Sequence, residues 1–242
     1  MSQRIIGIVP ARAGSVGIPG KNAKPLAGYP LVSWSIIPAL EACDIVIVTT
    51  NDPEVLALGW CADRLVVHRR SDMLATARTP DLPVVVDAYH QIEQEPDDVL
   101  VLLRPTAPLR LASDIREVVR LLAASGADSV RSVVPARDHP QKAYLQIASE
   151  GSGSTFWFRL MPATGSHRAN HPRQWLSPAW KAAGFVDAVR ADVLIGLESL
   201  EGDLIVGWPT PLNRAMDIDT ETEWQLAETQ IAAERWNPGR VA

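Results

Sequence analysis

Three segments concentrate residues that could hold an anion and do chemistry on it. The first, Pro10-Ala-Arg-Ala-Gly-Ser-Val-Gly-Ile-Pro-Gly-Lys-Asn22, sets Arg12 and Lys21 among Gly14, Gly17 and Gly20. Glycines let a backbone approach a bulky anion and turn its N–H groups inward. The two basic side chains supply charge, and Ser15 and Asn22 supply neutral donors. The pattern is neither a dinucleotide fingerprint nor a Walker loop, because no Gly-Lys-Ser/Thr opens a helix. It reads either as an anion cradle or as a solvated loop with incidental basic residues, and its place directly after a strand favours the cradle. The second segment, Leu103-Arg-Pro-Thr-Ala-Pro-Leu-Arg110, is stiffened by two prolines, which would hold Arg104, Thr106 and Arg110 in preset directions. It reads equally as a binding loop or as a rigid turn in which Arg110 pairs with an acid. The third is Met216-Asp-Ile-Asp-Thr220. Residues i and i+2 of an extended segment share a face, so Asp217 and Asp219 could hold a hard cation such as Mg²⁺ together with phosphate oxygens. A capping box, Thr220-x-x-Glu223, competes for this segment; it would explain Thr220 and Glu223 but leave the two aspartates unused.

Loops of this kind need elements that aim them at one place. Apolar, β-branched runs predict strands over 5–9, 44–49, 65–67, 99–103, 129–134, 185–189 and 204–206. Helical spacing predicts helices over 30–41, with Leu31, Trp34 and Ile37 on one side and Pro38 kinking the last turn, over 84–95, over 114–124 and over 222–235. Continuous apolar strands alternating with amphipathic helices give an α/β fold, a mostly parallel sheet flanked by helices on both faces. Ligands of such sheets sit at the carboxyl ends of the strands, where the loops after Val9, Thr49, Leu103 and Val134 would lie. Between about 138 and 183 the pattern changes. Ser152-Gly153-Ser154 has the composition of a hairpin tip, and Trp157, Trp175 and Trp180 are interleaved with His167, Arg168, His171 and Arg173. The expected organisation is one domain over 1–242 carrying an inserted lobe at 138–183.

Composition excludes some functions. The chain has 242 residues and a formal net charge of −5, which argues against a nucleic-acid binder, since that class needs a basic face. An anionic ligand remains open, because local basic loops matter more than the total. Cys43 and Cys61 match no metal-ligand spacing and are expected to be reduced thiols of a cytoplasmic protein. The opening apolar stretch is too short for a signal peptide, and no stretch approaches the roughly 18 apolar residues of a membrane span.

The segments together, in this order, resemble the CMP-N-acylneuraminate cytidylyltransferases, the CMP-sialic acid synthetases and their relatives. That family's pattern runs Pro-Ala-Arg-x-Gly-Ser-Lys-Gly-x-Pro-x-Lys-Asn, Val-Ser-Thr-Asp, Gln-Pro-Thr-Ser-Pro-Leu-Arg, His-Pro-x-Lys and Asp-Ile-Asp-Thr. The equivalents here are Pro10 to Asn22, Val48-Thr-Thr-Asn51, Arg104 to Arg110, His139-Pro-Gln-Lys142 and Asp217 to Thr220. The match covers nearly the whole chain and is weakest from about 149 to 180. The resemblance implies a nucleotide-diphospho-sugar transferase fold and transfer of CMP from CTP to a 2-keto-3-deoxy sugar acid, with release of pyrophosphate and a requirement for Mg²⁺. It implies a homodimer in which the lobe reaches the partner's site. Carried over residue by residue, Ala11, Arg12, Gly14, Ser15, Lys21, Asn22, Arg70, Thr106 and Pro108 would bind nucleotide. Arg104, Arg110 and Lys142 would bind the acceptor. Asp217 and Asp219 would hold the metal, and with Arg12 and Lys21 they form the expected catalytic set.

Four departures stand out. Val16 replaces a family lysine, Asn51 replaces the strand-end aspartate, Arg104 replaces a glutamine, and Ala77 and Arg78 fall near the position of a Ser-Asp pair. An arginine in the acceptor pocket favours bidentate pairing with carboxylate, phosphate or phosphonate. It therefore raises, as an alternative, CMP transfer to a non-sialic acidic acceptor such as a phosphonate. Val16 and Asn51 raise a third reading, a catalytically silent homologue that binds CTP.

Overall fold

The computed structural model describes residues 3–15, 17–60, 62–150, 155–160 and 172–236. From the amino end, β1 (Ile5–Pro10) leads through the glycine loop into a short hairpin, β2 (Pro25–Leu26) and β3 (Tyr29–Pro30), and then α1 (Ser33–Ala42). Next come β4 (Ile45–Thr50), α2 (Pro53–Leu56), β5 (Leu65–Arg69), α3 (Asp81–Tyr89), β6 (Val99–Leu102) and α4 (Ala112–Ser125). The chain continues through β7 (Ser129–Pro135), β8 (Tyr144–Glu150), β9 (Thr155–Leu160), β10 (Trp180–Arg190), α5 (Ala191–Gly196), β11 (Ile205–Pro209) and α6 (Glu221–Glu234).

Two compact units result. The first comprises Met1–Val133 and Ala183–Ala242, and the second comprises Val134–Ala182, with the boundaries inside β7 and β10. The first holds a seven-stranded sheet of order β11-β7-β10-β6-β1-β4-β5 among the described residues. Strand β1 is parallel to β4 and β6, β4 to β5, and β7 to β11; β10 runs antiparallel to β6. Because side chains alternate across a strand, neighbouring residues enter opposite layers. Val9, Val46, Val48, Val99 and Val101 pack with Val32, Ile36 and Ala39 of the α1 region and with Ile115, Val118 and Leu122 of α4. Ile6, Ile8, Ile47, Leu100 and Leu102 pack with Val85, Ala88 and Tyr89 of α3 and with Val193 and Leu194 of α5. Burying each valine, leucine or isoleucine among them contributes about 1.5–3 kcal/mol, which is what holds the strand ends in register beneath their loops.

The α/β class and mostly parallel sheet agree with expectation, and two local readings are corrected. In the α1 region Leu31 and Trp34 are buried as expected, while the fully buried isoleucine is Ile36 and Ile37 is half-buried. Helix α1 runs on through Pro38 to Ala42. Helix α3 occupies Asp81–Tyr89 rather than 84–95. It starts directly after Pro80 with an acidic residue in its first turn, both start signals. The residues expected to continue it wrap Asp98 instead, with Glu95 N and Tyr89 Oη both donating to that carboxylate.

In the second unit β8 and β9 pair antiparallel, with an irregularity between Gln146 and Ala148. The expected tip at Ser152-Gly153-Ser154 lies outside the described residues, as do Val16, Cys61, His167, Arg168 and His171. Cys43 is a free, buried thiol whose pKa burial pushes up to about 12. No helix among the described residues is long and apolar enough to cross a membrane.

Candidate functional site

At the carboxyl ends of β1, β5 and β6 lies a cavity of about 450 Å³, lined by residues of the first unit. Its lining carries Arg12, Lys21, Arg70 and Arg104 against Asp81 and Asp219, an excess of two positive charges in a chain of net charge −5. The local charge of the cavity favours an anion.

The glycine loop is anchored at both ends. Ala11 N donates to Thr49 O at 2.9 Å, and Thr50 Oγ1 donates to Ala11 O at 2.6 Å, tying the loop's root to β4. Asn22 Nδ2 donates to Arg12 O at 3.0 Å, and Ala13 N donates to Asn51 Oδ1 at 2.9 Å. Gly14 makes the turn at φ 71°, and Arg12 Nη1 folds back on Ala13 O and Gly14 O. At Gly17 the loop meets the 216–220 segment so closely that a Cβ would stand 2.0 Å from Asp219 O. Lys21 is buried and donates through Nζ to Ile218 O at 2.7 Å and to Asp219 Oδ1 at 2.8 Å. Ile218 N donates in turn to Thr106 O at 2.8 Å. The three segments singled out in the sequence thus meet at Ile218, which is fully buried beside Leu109 and Trp224.

Arg70, the residue after β5, is only 4% exposed and lines the cavity. Its Nε and Nη2 are buried and have no hydrogen-bond partner among the described residues. Burial lowers the guanidinium's pKa, the nearby Arg12 charge adds to this, and Asp87 and Asp81 oppose it. A buried charge with open donors is costly unless something fills it.

Arg104 lines the cavity as well, but both arms of its fork are taken: Nη2 donates to Asp81 Oδ2 at 2.6 Å and Nη1 to Asp187 Oδ2 at 2.9 Å. Burial works against its charge, and Asp187 and Asp81 outweigh it, so its pKa stands above the ordinary value.

Arg110 is not brought to the cavity. It lies beneath the loop, 3% exposed, donating through Nε to Phe185 O, through Nη1 to Ser35 Oγ and through Nη2 to Arg104 O. In this structure Arg110 serves as a brace for the 104–110 loop. The reason is satisfaction: every arm already ends on a protein oxygen. Burial and the neighbouring Arg104 charge pull its pKa down to about 9, so it remains charged at neutral pH.

Of the other expected residues, Ser15, Asn22 and Thr106 line the cavity, while Ala11, Gly14 and Pro108 shape its loops without lining it. Asp219 lines it; Asp217 does not, though both are exposed on either side of buried Ile218. The capping box also forms, with Thr220 Oγ1 accepting from Glu223 N and Glu223 Oε2 from Thr220 N. Lys142 lies in the second unit, in a separate basic cluster with Arg137, His139 and Arg173. Leu74, Thr76, Thr79 and Asp81 also line the cavity and were not anticipated. Pro80 followed by an acidic residue is a helix-start signal that could have placed Asp81 at a loop end.

Asn51 has a clear task. Its amide accepts from Ala13 N and donates through Nδ2 to Asp72 Oδ1 at 2.9 Å. An aspartate there would set two carboxylates against each other, so the departure from the family residue suits this chain's own loop.

The cytidylyltransferase pattern ("Cytidylyltransferase") matches residues 6–146. Over 241 residues the chain is 29% identical to CMP-N,N'-diacetyllegionaminic acid synthase of Legionella pneumophila, with 93% of this chain and 95% of that protein covered. It is 30% identical over 234 residues to N-acylneuraminate cytidylyltransferase A of Danio rerio, covering 95% of this chain and about half, 51%, of the fish protein. A solved CMP:2-keto-3-deoxy-manno-octonic acid synthetase complexed with CTP shares the fold, with a TM-score of 0.65 at 17% identity, covering 96% of this chain and 100% of that one. With the pattern matching more than half of the sequence and its loops closing one cationic cavity, this chain belongs to the cytidylyltransferase family.

Proposed function

We propose that this protein transfers CMP from CTP to a hydroxyl of an acidic sugar, of the 2-keto-3-deoxy or sialic-acid-like class, releasing pyrophosphate. The observation that carries this reading is Arg70, a buried guanidinium with two open donors in a cavity where Arg12 and Lys21 also converge. A triphosphate fills such donors. Lys21 has three N–H groups, of which two are used by Ile218 and Asp219, leaving one for a phosphate oxygen. In the reaction an acceptor hydroxyl gives up its proton to solvent as its oxygen bonds the α-phosphorus, the bond from that phosphorus to the bridging oxygen breaks, and pyrophosphate leaves with the electron pair. Little covalent work falls to side chains, so positioning and neutralisation of the leaving charge by Arg12, Lys21 and Arg70 dominate.

The residues fit a magnesium ion. Asp217 and Asp219 are exposed carboxylates flanking buried Ile218, and Asp219 Oδ2 accepts from no side chain among the described residues. Held there, the ion would use one or two carboxylates and take its other ligands from phosphate and water. When bound, Mg²⁺ would neutralise phosphate charge and acidify the attacking hydroxyl. For assembly we favour a homodimer through the second unit, where Tyr144, Trp175 and Trp180 are exposed at 62%, 74% and 49%, since aromatic side chains are enriched at interface centres. A free, buried Cys43 suits a reducing cytoplasm.

The phosphonate alternative rested on an uncommitted charge at Arg104, and that charge is matched by Asp81 and Asp187. The silent-homologue alternative rested partly on Asn51, whose hydrogen bonds hold the glycine loop in place. The deciding experiment is pyrophosphate release from CTP and Mg²⁺ over a panel of acidic sugars, with UTP as control. Release with at least one sugar is expected; none with any sugar would overturn the reading.

A further inference from the structure

One carboxylate in the cavity comes from none of the three loops. Asp81 opens α3, lines the cavity and keeps 44% of its side chain exposed. Arg104 bridges it to Asp187, and these two carboxylates differ in what is left for them to accept. Asp187 is buried on β10: Oδ1 takes Ser132 N at 3.0 Å and Ser132 Oγ at 2.9 Å, while Oδ2 takes Arg104 and stands 3.3 Å from Arg131 Nη2. Asp81 gives Oδ2 to Arg104, and its Oδ1 accepts from no group among the described residues. Gly184, at φ 63°, leaves the space in which the bridging guanidinium lies: a Cβ there would be 3.4 Å from Arg104 Nη1.

A carboxylate is an acceptor only; it repels an anionic group and takes N–H or O–H donors strongly. Arg104, with both arms of its fork on protein carboxylates, has little charge to offer an acid. We propose that Asp81 is a specificity-determining residue of this site, accepting a hydrogen bond from an N–H or O–H donor of a bound substrate, and that Arg104 is the positioning residue that aims it. This rests on the reading that the cavity takes CTP and an acidic sugar. Both carry such donors, the exocyclic amine of cytosine and the hydroxyls of the sugar.

The test is Asp81→Asn, which keeps the shape and turns one acceptor into a donor, with Asp81→Ser as a second variant. CTP and UTP are titrated by calorimetry, and kcat/KM is measured across the sugar panel. If the base amine is the partner, the Kd for CTP rises about tenfold to a hundredfold while that for UTP does not, and the preference between them collapses. If a sugar hydroxyl is the partner, the CTP affinity holds, KM for the sugar rises about tenfold or more, and an analogue lacking that hydroxyl loses nothing. Arg104→Met, with Arg104→Lys in case the first folds poorly, should give a weaker loss of the same pattern. The double variant with Asp81→Asn should be no worse than Asp81→Asn alone, because the two act through one contact. The proposal is overturned if both Asp81 variants leave CTP affinity and sugar KM within about twofold of wild type. It is overturned equally if Arg104→Met loses the sugar while Asp81→Asn keeps it, since Arg104 then binds the acid itself. Should the wild-type protein turn over no acidic sugar, the reading of its activity fails separately. The CTP and UTP titrations would then decide alone, an unchanged preference overturning the proposal.

Discussion

Arg70 offers the sharpest test of how the cavity works, because its removal should move stability and binding in opposite directions. The perturbation is Arg70→Met, which keeps an unbranched apolar stem and removes the guanidinium and its charge. Two buried donors of Arg70 lack partners among the described residues. Each unsatisfied buried donor costs about 1–3 kcal/mol. The fields of Asp81 and Asp87 offset part of this, so a net gain of about 1–2 kcal/mol on substitution is expected. For a chain of this size that raises Tm by roughly 2–8 °C. Losing charge-assisted contacts to phosphate costs about 1.5–3 kcal/mol, or roughly tenfold to more than a hundredfold in CTP affinity. The assay is thermal unfolding with and without CTP, together with calorimetric titration. At a CTP concentration one hundred times the wild-type Kd, wild type gains about 2.7 kcal/mol. A variant with a hundredfold weaker Kd gains only about 0.4 kcal/mol at that concentration. At a hundredfold loss the order of the two Tm values should therefore invert on adding CTP. A variant that melts lower than wild type without ligand and binds CTP equally well would refute the reasoning and make Arg70 a structural residue.

Three further outcomes follow from the same geometry. Lys21→Ala should weaken CTP about tenfold to a hundredfold and CMP much less; equal losses by calorimetry would place its charge away from the β and γ phosphates. Gly17→Ala puts a methyl where Asp219 O stands 2.0 Å away, so kcat/KM should fall about a hundredfold, the effect of a misplacement near 1 Å, with far-UV circular dichroism unchanged; near wild-type turnover would show that the two loops need not touch. Asp98 is buried, accepts from Arg4 and Tyr89, and has a lowered pKa because these bonds and that of Glu95 N outweigh its burial. Its stabilisation is present above the unfolded carboxylate pKa of about 4 and is lost as pH falls through the lower folded value. Asp98→Asn should therefore cost about 2–4 kcal/mol near pH 7 and flatten the acid limb of stability measured by urea unfolding.

The parts of the fold legible in the sequence are those governed by local pattern. The strands at β1, β4 and β6 announce themselves as apolar runs because they are buried on both faces. The capping box at Thr220 and Glu223 forms as spaced, and so does the convergence of the glycine loop with the Asp-Ile-Asp segment. What escaped the sequence depends on distance through space. Helix α3 was placed late because Val84, Val85 and Ala88 carry the apolar signal, whereas its start is marked only by Pro80 and Asp81. Asp187 lies 83 residues from the arginine it holds, and no periodicity reports such a pair.

The same limit explains why three arginines that look alike as sequence turn out to do three things. Arg70, Arg104 and Arg110 all follow or lie near strand ends, and a permanent charge at each is equally suited to an anion. What separates them is the account of their donors. Arg110 spends its arms on three protein oxygens and braces a loop; Arg104 spends its arms on two carboxylates and aims one of them; Arg70 leaves two donors unspent. The cost of burial falls on all three, but of the three only Arg70 keeps buried donors unpaired among the described residues, with Asp81 and Asp87 offsetting just part of the cost, and that is where a ligand gains most by binding. Stability withheld at one cavity residue thus becomes affinity.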